Sequence, residues 1–345
     1  MPNKNYKVGD PRIDSLIDEL TELCSPQDCQ EHFRESLTTL AKFGSEHGDL
    51  GDFKLVNRAL KEMRHALRIF LPYRNVRKVV VFGSARIGES DPCYLLTMEL
   101  CEKLVDRKFM VITGAGGGVM EAANRGAGRE KSFGINIQFP FEQKSNPYIE
   151  GDPKLMRFKY FFTRKLFFIK ESDATILLPG GFGTLDEGFE NLTLFKTGKC
   201  MPRPVILLEP ESGNYWKGLL DYMESALVQN GYINSDENRL FQLVHTAGQA
   251  VDLVQEFYKV YHSLRYVKEL TVVRINREIP AQTLDRLNDE FKDILIEGRI
   301  EASPPLKEEM KLNEFPHLPR LVMHFDKQNF GRLNDFIWKI NRLAS

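Results

Sequence analysis

From Pro11 to about Leu71, apolar residues recur at helical spacing in IDSLIDELTELC, CQEHFRESLTTLAKFG and DFKLVNRALKEMRHALRIFLPY, with no strand-like alternation. This predicts a helical preface. Pro72 and the polar YRNVRK then lead into KVVVFGSA, a short apolar run ending in glycine, as a strand buried on both faces of a parallel sheet reads. Beyond Lys78 strand and helix patterns alternate: CYLLTMELCEKLVDR as helix, FMVITG as strand, GVMEAANRGAG as helix, FGINIQF as strand. After LMRFKYFF come TRKLFFIKES (helix), ATILLPG (strand), TLDEGFENLTLFKTG (helix), PVILLEP (strand), a helix around YWKGLLDYMESALVQNG and a short strand near LFQLVHT. The helix AGQAVDLVQEFYKVYHSL closes the series near Leu264.

The fold class expected is α/β, a doubly wound, Rossmann-like parallel sheet, with the helical segment at residues 1–75 and the α/β domain at 76–264. Residues 265–345 read as a small α+β appendage. There YVKELTVVRI is a strand, AQTLDRLNDEFKDILIEG a helix ending at Gly298, PRLVMHFD a strand and FGRLNDFIWKINRL a final helix. That order resembles part of a ferredoxin-like or ligand-sensing module. No internal repeat is visible.

Composition narrows the function classes. A chain of 345 residues, 42% of them apolar, has enough material for about two domains with real cores. With 47 Lys+Arg against 48 Asp+Glu, no broad basic field for nucleic acid or membrane is expected. No apolar run is long enough to span a bilayer, and the first residues lack the apolar stretch of a secretory signal, so a cytoplasmic protein is expected. The five scattered cysteines argue against a disulfide framework, and the seven histidines show no metal-ligand spacing, so no metal is expected.

Two glycine-rich turns join a strand to a helix: Thr113 to Glu121, containing Gly116, Gly117 and Gly118, and Pro179 to Glu187, containing Gly180, Gly181, Gly183 and Thr184. Glycine lets backbone amides approach a ligand, and the following helix N-terminus favours phosphate. The familiar nucleotide motifs fail, however. The third glycine of a dinucleotide fingerprint is replaced by Val119 in the first turn and Asp186 in the second. In Gly83-Ser-Ala-Arg-Ile-Gly88-Glu89-Ser90, Glu89 stands where a P-loop needs lysine. What survives is a turn of Gly83, Ser84 and Arg86 able to offer amides, a hydroxyl and a cation. Glu121 and Glu187 are each expected in the first turn of a helix and therefore ionised at pH 7, as a ribose clamp and a catalytic carboxylate. Arg164 and Lys165 open a helix, where cations oppose the helix dipole, and that unfavourable choice points to function.

PGGFGTLDE, GGGVMEAANRGA and the upstream Arg164-Lys165 pair together resemble the signature of the Lonely Guy (LOG) family, often mislabelled as lysine decarboxylases. The resemblance covers about Lys78 to Leu264 and departs at Gly188-Phe189, where leucine-rich sequence is more usual. It implies a phosphoribohydrolase that cleaves the N-glycosidic bond of a nucleoside 5′-monophosphate, either AMP or a cytokinin riboside monophosphate, to free base and ribose 5-phosphate. By position it implies Arg164 and Glu187 as catalytic. Pro179, Gly180, Gly181, Gly183 and Thr184 would form the 5′-phosphate loop, Glu121 would hold ribose hydroxyls, and Lys165 would join the substrate-binding set. No cofactor is implied, and a homodimer or higher homo-oligomer is. The other reading is a nucleotide-binding regulatory protein with little or no turnover.

Overall fold

The computed structural model describes residues 6–46, 48–138, 144–310 and 314–343, and the chain forms two compact units, residues 1–64 and 65–345. The first unit holds helices α1 (Pro11–Cys24), α2 (Gln30–Ser45) and the start of α3 (Leu50–Phe70). Pro11 occupies the first turn of α1, where its missing N–H costs nothing, and Asp10 caps it by accepting from the amides of Arg12 and Ile13. Arg34 of α2 pairs with Asp18 of α1 at 2.6 Å and donates to the Tyr6 carbonyl.

The second unit begins within α3 and contains the α/β sheet. Its seven strands, β1 (Lys78–Phe82), β2 (Met110–Thr113), β3 (Ser132–Ile137), β4 (Leu155–Phe158), β5 (Ala174–Leu177), β6 (Val205–Leu208) and β7 (Gln242–Val244), lie in the order 4-3-2-1-5-6-7, all parallel. Helices α4 (Pro92–Asp106), α5 (Val119–Ala127), α6 (Phe161–Lys170), α7 (Phe182–Lys196), α8 (Tyr215–Tyr222) and α9 (Ala247–Phe257) connect them. One face of the sheet, with Val79, Val81, Val111 and Ile176, packs against α4, α5 and α9. The opposite face is aromatic. Phe70 of α3 stacks on Phe133 of β3 at 4.6 Å between ring centroids, and Phe82 of β1 meets Phe168 of α6 edge-on at 4.9 Å. Helices thus cover both faces, as the unbroken apolar runs require.

Past α9 the chain departs from the sequence reading. The apolar spacing Val254, Phe257, Tyr258, Tyr261 continues at helical period, yet α9 stops at Phe257. Asn341 explains the stop. Its side-chain oxygen accepts from the amides of Val260 and Tyr261, and its amide donates to the Phe257 carbonyl at 2.7 Å, replacing the partners that another helical turn would use. Tyr261–Val267 is instead strand β8, and YVKELTVVRI is a hairpin, with Lys268 at φ +54° turning the chain into β9 (Leu270–Ile275).

Helix α10 covers Ala281–Glu290 only, and the residues expected to extend it to Gly298 fold as edge strand β10 (Leu295–Ser303). Asn288 holds that strand by exchanging hydrogen bonds with the Ile300 backbone at 2.7 and 2.9 Å. After the single turn α11 (Lys307–Met310) come β11 (Arg320–Phe325) and α12 (Phe330–Leu343). The appendage is a four-stranded antiparallel sheet in the order 10-11-9-8, and its ββαββα chain order differs from the βαββαβ of ferredoxin-like folds.

Arg320 and Glu309 are completely buried in this appendage, with Arg274 almost so. Glu309 receives Arg274 at 2.8 Å and Arg320 at 3.3 Å. Burial alone would raise the Glu309 carboxyl, but hydrogen bonds from Arg274 and Arg320 overcome it and hold the group below its ordinary pKa. Removing the anion that the two buried cations share leaves Arg274 with Glu314 alone and Arg320 with no carboxylate among the described residues, at a cost of about 3 to 5 kcal/mol. Glu309→Gln should therefore move the urea transition of the appendage, read by the fluorescence of Trp338, to clearly lower denaturant.

Candidate active site

The chain winds outward from β1 through β2 and β3 to β4, then returns to β5 on the other side of β1. The loops leaving β1 and β5 consequently diverge and open a crevice at the carboxyl ends of the strands, the switch point where open α/β sheets take ligands. A cavity of about 840 Å³ lies there.

Backbone contacts build its frame. The Ser84 amide donates to the Pro179 carbonyl at 3.0 Å, and the Val119 amide donates to the Ser84 carbonyl at 2.9 Å, lacing three loops together. Gly118 has φ +60°, and a Cβ there would sit 2.3 Å from the Ser84 oxygen. A Cβ on Gly83 would meet Val119 at 2.6 Å, and one on Gly180 would lie 2.2 Å from the Thr184 hydroxyl. These glycines are needed for the fold. Gly181 and Gly183 differ: nothing lies within 4 Å of where their Cβ would stand. Gly181 caps α7, so the first amides of that helix face open space with the positive end of its dipole behind them.

Gly83, Ser84, Arg86, Arg164, Gly180, Gly181, Gly183, Thr184 and Glu187 line the cavity together. Other expected site residues fall behind the wall. Gly116, Gly117, Gly118 and Pro179 serve loop packing, Gly116 under the Met120 methyl and Gly117 against the Ala85 carbonyl. Glu121 lies in the first turn of α5, as expected, but takes a 3.3 Å hydrogen bond from the Tyr94 hydroxyl and lies outside the lining. Lys165 is held by carboxylates, Glu190 at 2.8 Å, Asp186 at 2.9 Å and Glu187 at 3.3 Å. Burial works against its ammonium, yet Glu190 and Asp186 outweigh that and keep its pKa above the ordinary value.

Glu187 corrects two expectations. Helix α7 starts at Phe182, so Glu187 stands in the second turn, past the reach of the helix dipole, and it is buried. Desolvation pushes its carboxyl up to about 7 against the opposing pull of Lys165 and Arg164, so it is not fully ionised at neutral pH. Neither carboxylate oxygen receives a well-aligned hydrogen bond among the described residues, although the Lys165 ammonium lies 3.3 Å from one of them. The Arg164 guanidinium is 3.7 Å away, seated over the rings of Phe161 and Phe168. Helix α6 begins at Phe161, so Arg164 and Lys165 lie one turn in rather than at its opening, and the dipole penalty on them is small. Burial lowers the Arg164 pKa, while Glu187 and Asp186 oppose that shift.

Sequence reasoning missed the apolar part of the wall, formed by Phe82, Met120, Phe168, Phe182 and Leu185. Phe182, 93% exposed, fills the variable place in Pro-Gly-Gly-x-Gly-Thr, and its aromatic character was the available signal. Glu190, one turn beyond Glu187, was likewise legible only as a helix-surface acid.

The fold and the cleft define an open α/β domain with an anion-receptive loop facing a buried carboxylate. Residues 119–254 match the family described as "Possible lysine decarboxylase". The chain is 27% identical over 184 residues to "Probable cytokinin riboside 5′-monophosphate phosphoribohydrolase LOG4" of Oryza sativa subsp. japonica, covering 52% of this chain and 77% of that protein. It is also 27% identical over 185 residues to "Cytokinin riboside 5′-monophosphate phosphoribohydrolase LOG3" of Arabidopsis thaliana, with 52% and 83% covered. Among solved structures, the molybdenum cofactor carrier protein of Chlamydomonas reinhardtii superposes with a TM-score of 0.36 at 17% identity, over 53% of this chain and 98% of that one. The family match and the two curated relatives bear out the resemblance to the Lonely Guy family that the motifs carry. Among the described residues, no group of three possible metal ligands comes together and no helix is long and apolar enough to cross a membrane.

Two measurements follow from the geometry. A folded-state pKa near 7 against 4.5 unfolded means that the native protein binds the Glu187 proton more tightly, so this stabilisation is present at low pH and lost as pH rises through about 7. Between pH 5 and 8 wild type should lose a few kcal/mol more unfolding free energy than Glu187→Gln. Equal pH slopes in urea titrations would refute this. Gly180→Ala should lower the melting temperature by several degrees, since its Cβ meets Thr184 and the Ser84 amide, whereas Gly181→Ala should leave it unchanged and weaken phosphate-ester binding about tenfold.

Proposed function

We propose that the cleft hydrolyses the N-glycosidic bond of a nucleoside 5′-monophosphate, with AMP as the test substrate, giving free base and ribose 5-phosphate. The observation that carries this reading is a buried carboxylate without a well-aligned hydrogen bond, Glu187, sharing its cavity with a helix N-terminus whose glycines leave room for a phosphate. The phosphoribohydrolase names of the relatives support the same chemistry.

In this mechanism the 5′-phosphate accepts from the first amides of α7, with Arg86 and the Ser84 hydroxyl beside it. Departure of the base leaves positive charge on the ribose ring and negative charge on the base. Ionised Glu187 stabilises the first and takes a proton from the attacking water, whose oxygen bonds to the anomeric carbon. Arg164 stays a cation and hydrogen-bonds the departing base, which leaves protonated at the ring nitrogen with solvent as the proton source. The wall of Phe168, Met120 and Phe182 gives the base a flat apolar surface. Lys165 acts through Glu187 rather than on substrate, because its positive charge favours the ionised carboxylate. Assembly as a homodimer or higher homo-oligomer belongs to the proposal too, supported by the exposed Phe161, Phe162 and Leu166 on α6.

Chromatography of AMP incubations should reveal adenine with wild type, and Arg164→Ala and Glu187→Gln should each reduce turnover about 100-fold or more. Because protonated Glu187 is inactive, kcat/KM should rise with pH and level off above about 7. Lys165→Met should shift that rising limb upward by about one unit. Binding of AMP without release of adenine would favour a regulatory nucleotide-binding protein instead.

A further inference from the structure

A second large cavity, about 990 Å³, lies at the opposite ends of the same strands. It is bounded by the segment entering β1, the first residue before β5, strands β8 and β9 and the loop before β11. Arg74, Arg77, Arg265 and Arg274 face it, against the carboxylates of Asp173 and Glu314. The pairing is uneven. Arg77 is held by Asp173 at 2.9 Å, and Arg274 by Glu309 and Glu314 at 2.8 and 3.0 Å. Arg265 shares that same Glu314 at 3.1 Å, and Arg74 is exposed with no ion pair among the described residues. The imidazole of His262 lies 4.4 Å from the Phe315 ring, tilted 59° to it, and is driven down to about 4 chiefly by burial, with the neighbouring Arg77 and Arg274 cations adding to the shift.

Four guanidiniums around one concavity repel one another, and the two carboxylates that face it, with the Glu309 that Arg274 shares with Arg320, do not neutralise them. An oxyanion with several charges would, and guanidinium presents paired donors that match phosphate geometry. The ring of Phe315, 40% exposed at the rim, adds a flat apolar surface. Five residues of β1, spanning about 16 Å, separate this cavity from the catalytic cleft, so one small ligand cannot reach both.

We propose that this cavity is a second binding site, for a small molecule carrying two or more linked phosphate groups. The site stands apart from the hydrolase reading, since none of its residues lines the cleft.

Isothermal titration calorimetry with sodium tripolyphosphate at fixed ionic strength tests it on the whole chain. Wild type and Gly181→Ala, the variant that weakens the phosphate seat of the cleft, should bind equally at this site, which separates it from the cleft. The double variant Arg74→Gln/Arg265→Gln should bind about tenfold or more weakly with an unchanged melting temperature, and His317→Ala, which alters another lining residue, provides a second reading. Adenosine triphosphate binding more tightly than tripolyphosphate, with the gain lost in Phe315→Ala, would identify a nucleotide as the source of the phosphates. Equal affinities would identify inorganic polyphosphate. Unchanged binding in both cavity variants, loss of binding in Gly181→Ala, or a short RNA displacing tripolyphosphate from the same arginines would overturn the proposal.

Discussion

The hydrogen bond from the Ser84 amide to the Pro179 carbonyl ties the two loops that diverge from the centre of the sheet, and every group in the cleft takes its position from that tie. Since β1 and β5 are neighbours whose following helices go to opposite faces, their loops would otherwise splay apart. Val119 closes the same knot from the third loop by donating to Ser84. Three backbones meeting within hydrogen-bond distance leave no volume for side chains, which is why Gly83, Gly118 and Gly180 are glycine for steric reasons while Gly181 and Gly183 are not. One motif therefore contains two kinds of glycine, one kind that lets the chain fold and another that leaves the cavity open.

Around that knot the electrostatics are set by what has been removed from water. Glu187 is buried beside a cation at 3.3 Å and another at 3.7 Å, yet its carboxyl remains well above the ordinary value, because desolvation outweighs two partners that are not aligned to hydrogen-bond it. Had Arg164 formed a bidentate pair, the carboxylate would be permanently ionised and a poor base. Holding the guanidinium over Phe161 and Phe168 keeps it close but not paired, leaving donors available for a ligand. The arrangement costs stability at neutral pH and supplies a base whose proton affinity suits that pH.

The parallel sheet was legible because its strands β1, β2, β5 and β6 are short apolar runs followed by glycine or a helix pattern, a purely local signal. The loop residues of the cleft were legible for a similar reason, since glycine and threonine at fixed offsets from Glu187 have few other uses. The ionisation of Glu187 was not, because burial depends on residues distant in sequence. The appendage was misread where its secondary structure depends on tertiary partners. Nothing local to Phe257 tells α9 to stop; Asn341, 84 residues later, does so. Nothing local to Leu295 makes it a strand either, and β10 is held by β11 and by Asn288. Glu121 shows a different dependence on distant residues. Its helical position was read correctly, but Tyr94, which engages its carboxylate, comes from a separate helix.

The amino ends of β1 and β5 are tied as firmly as their carboxyl ends, but by charge rather than by backbone. Asp173 accepts from the Lys78 amide at 2.8 Å and pairs with Arg77, and Arg77 in turn lies over the Tyr258 ring at 3.6 Å and donates to the His262 carbonyl. Tyr258 closes the circuit by donating its hydroxyl to the Asp173 carbonyl. The appendage is thus fastened to the two strands that carry the cleft at their other ends. Strands buried in a close-packed core transmit displacement rather than absorb it. Arg77 and Asp173 sit at the amino ends of the same two strands whose carboxyl ends carry the Ser84 and Pro179 loops, so that one pair of backbones is anchored by charge at one end and by amide hydrogen bonds at the other.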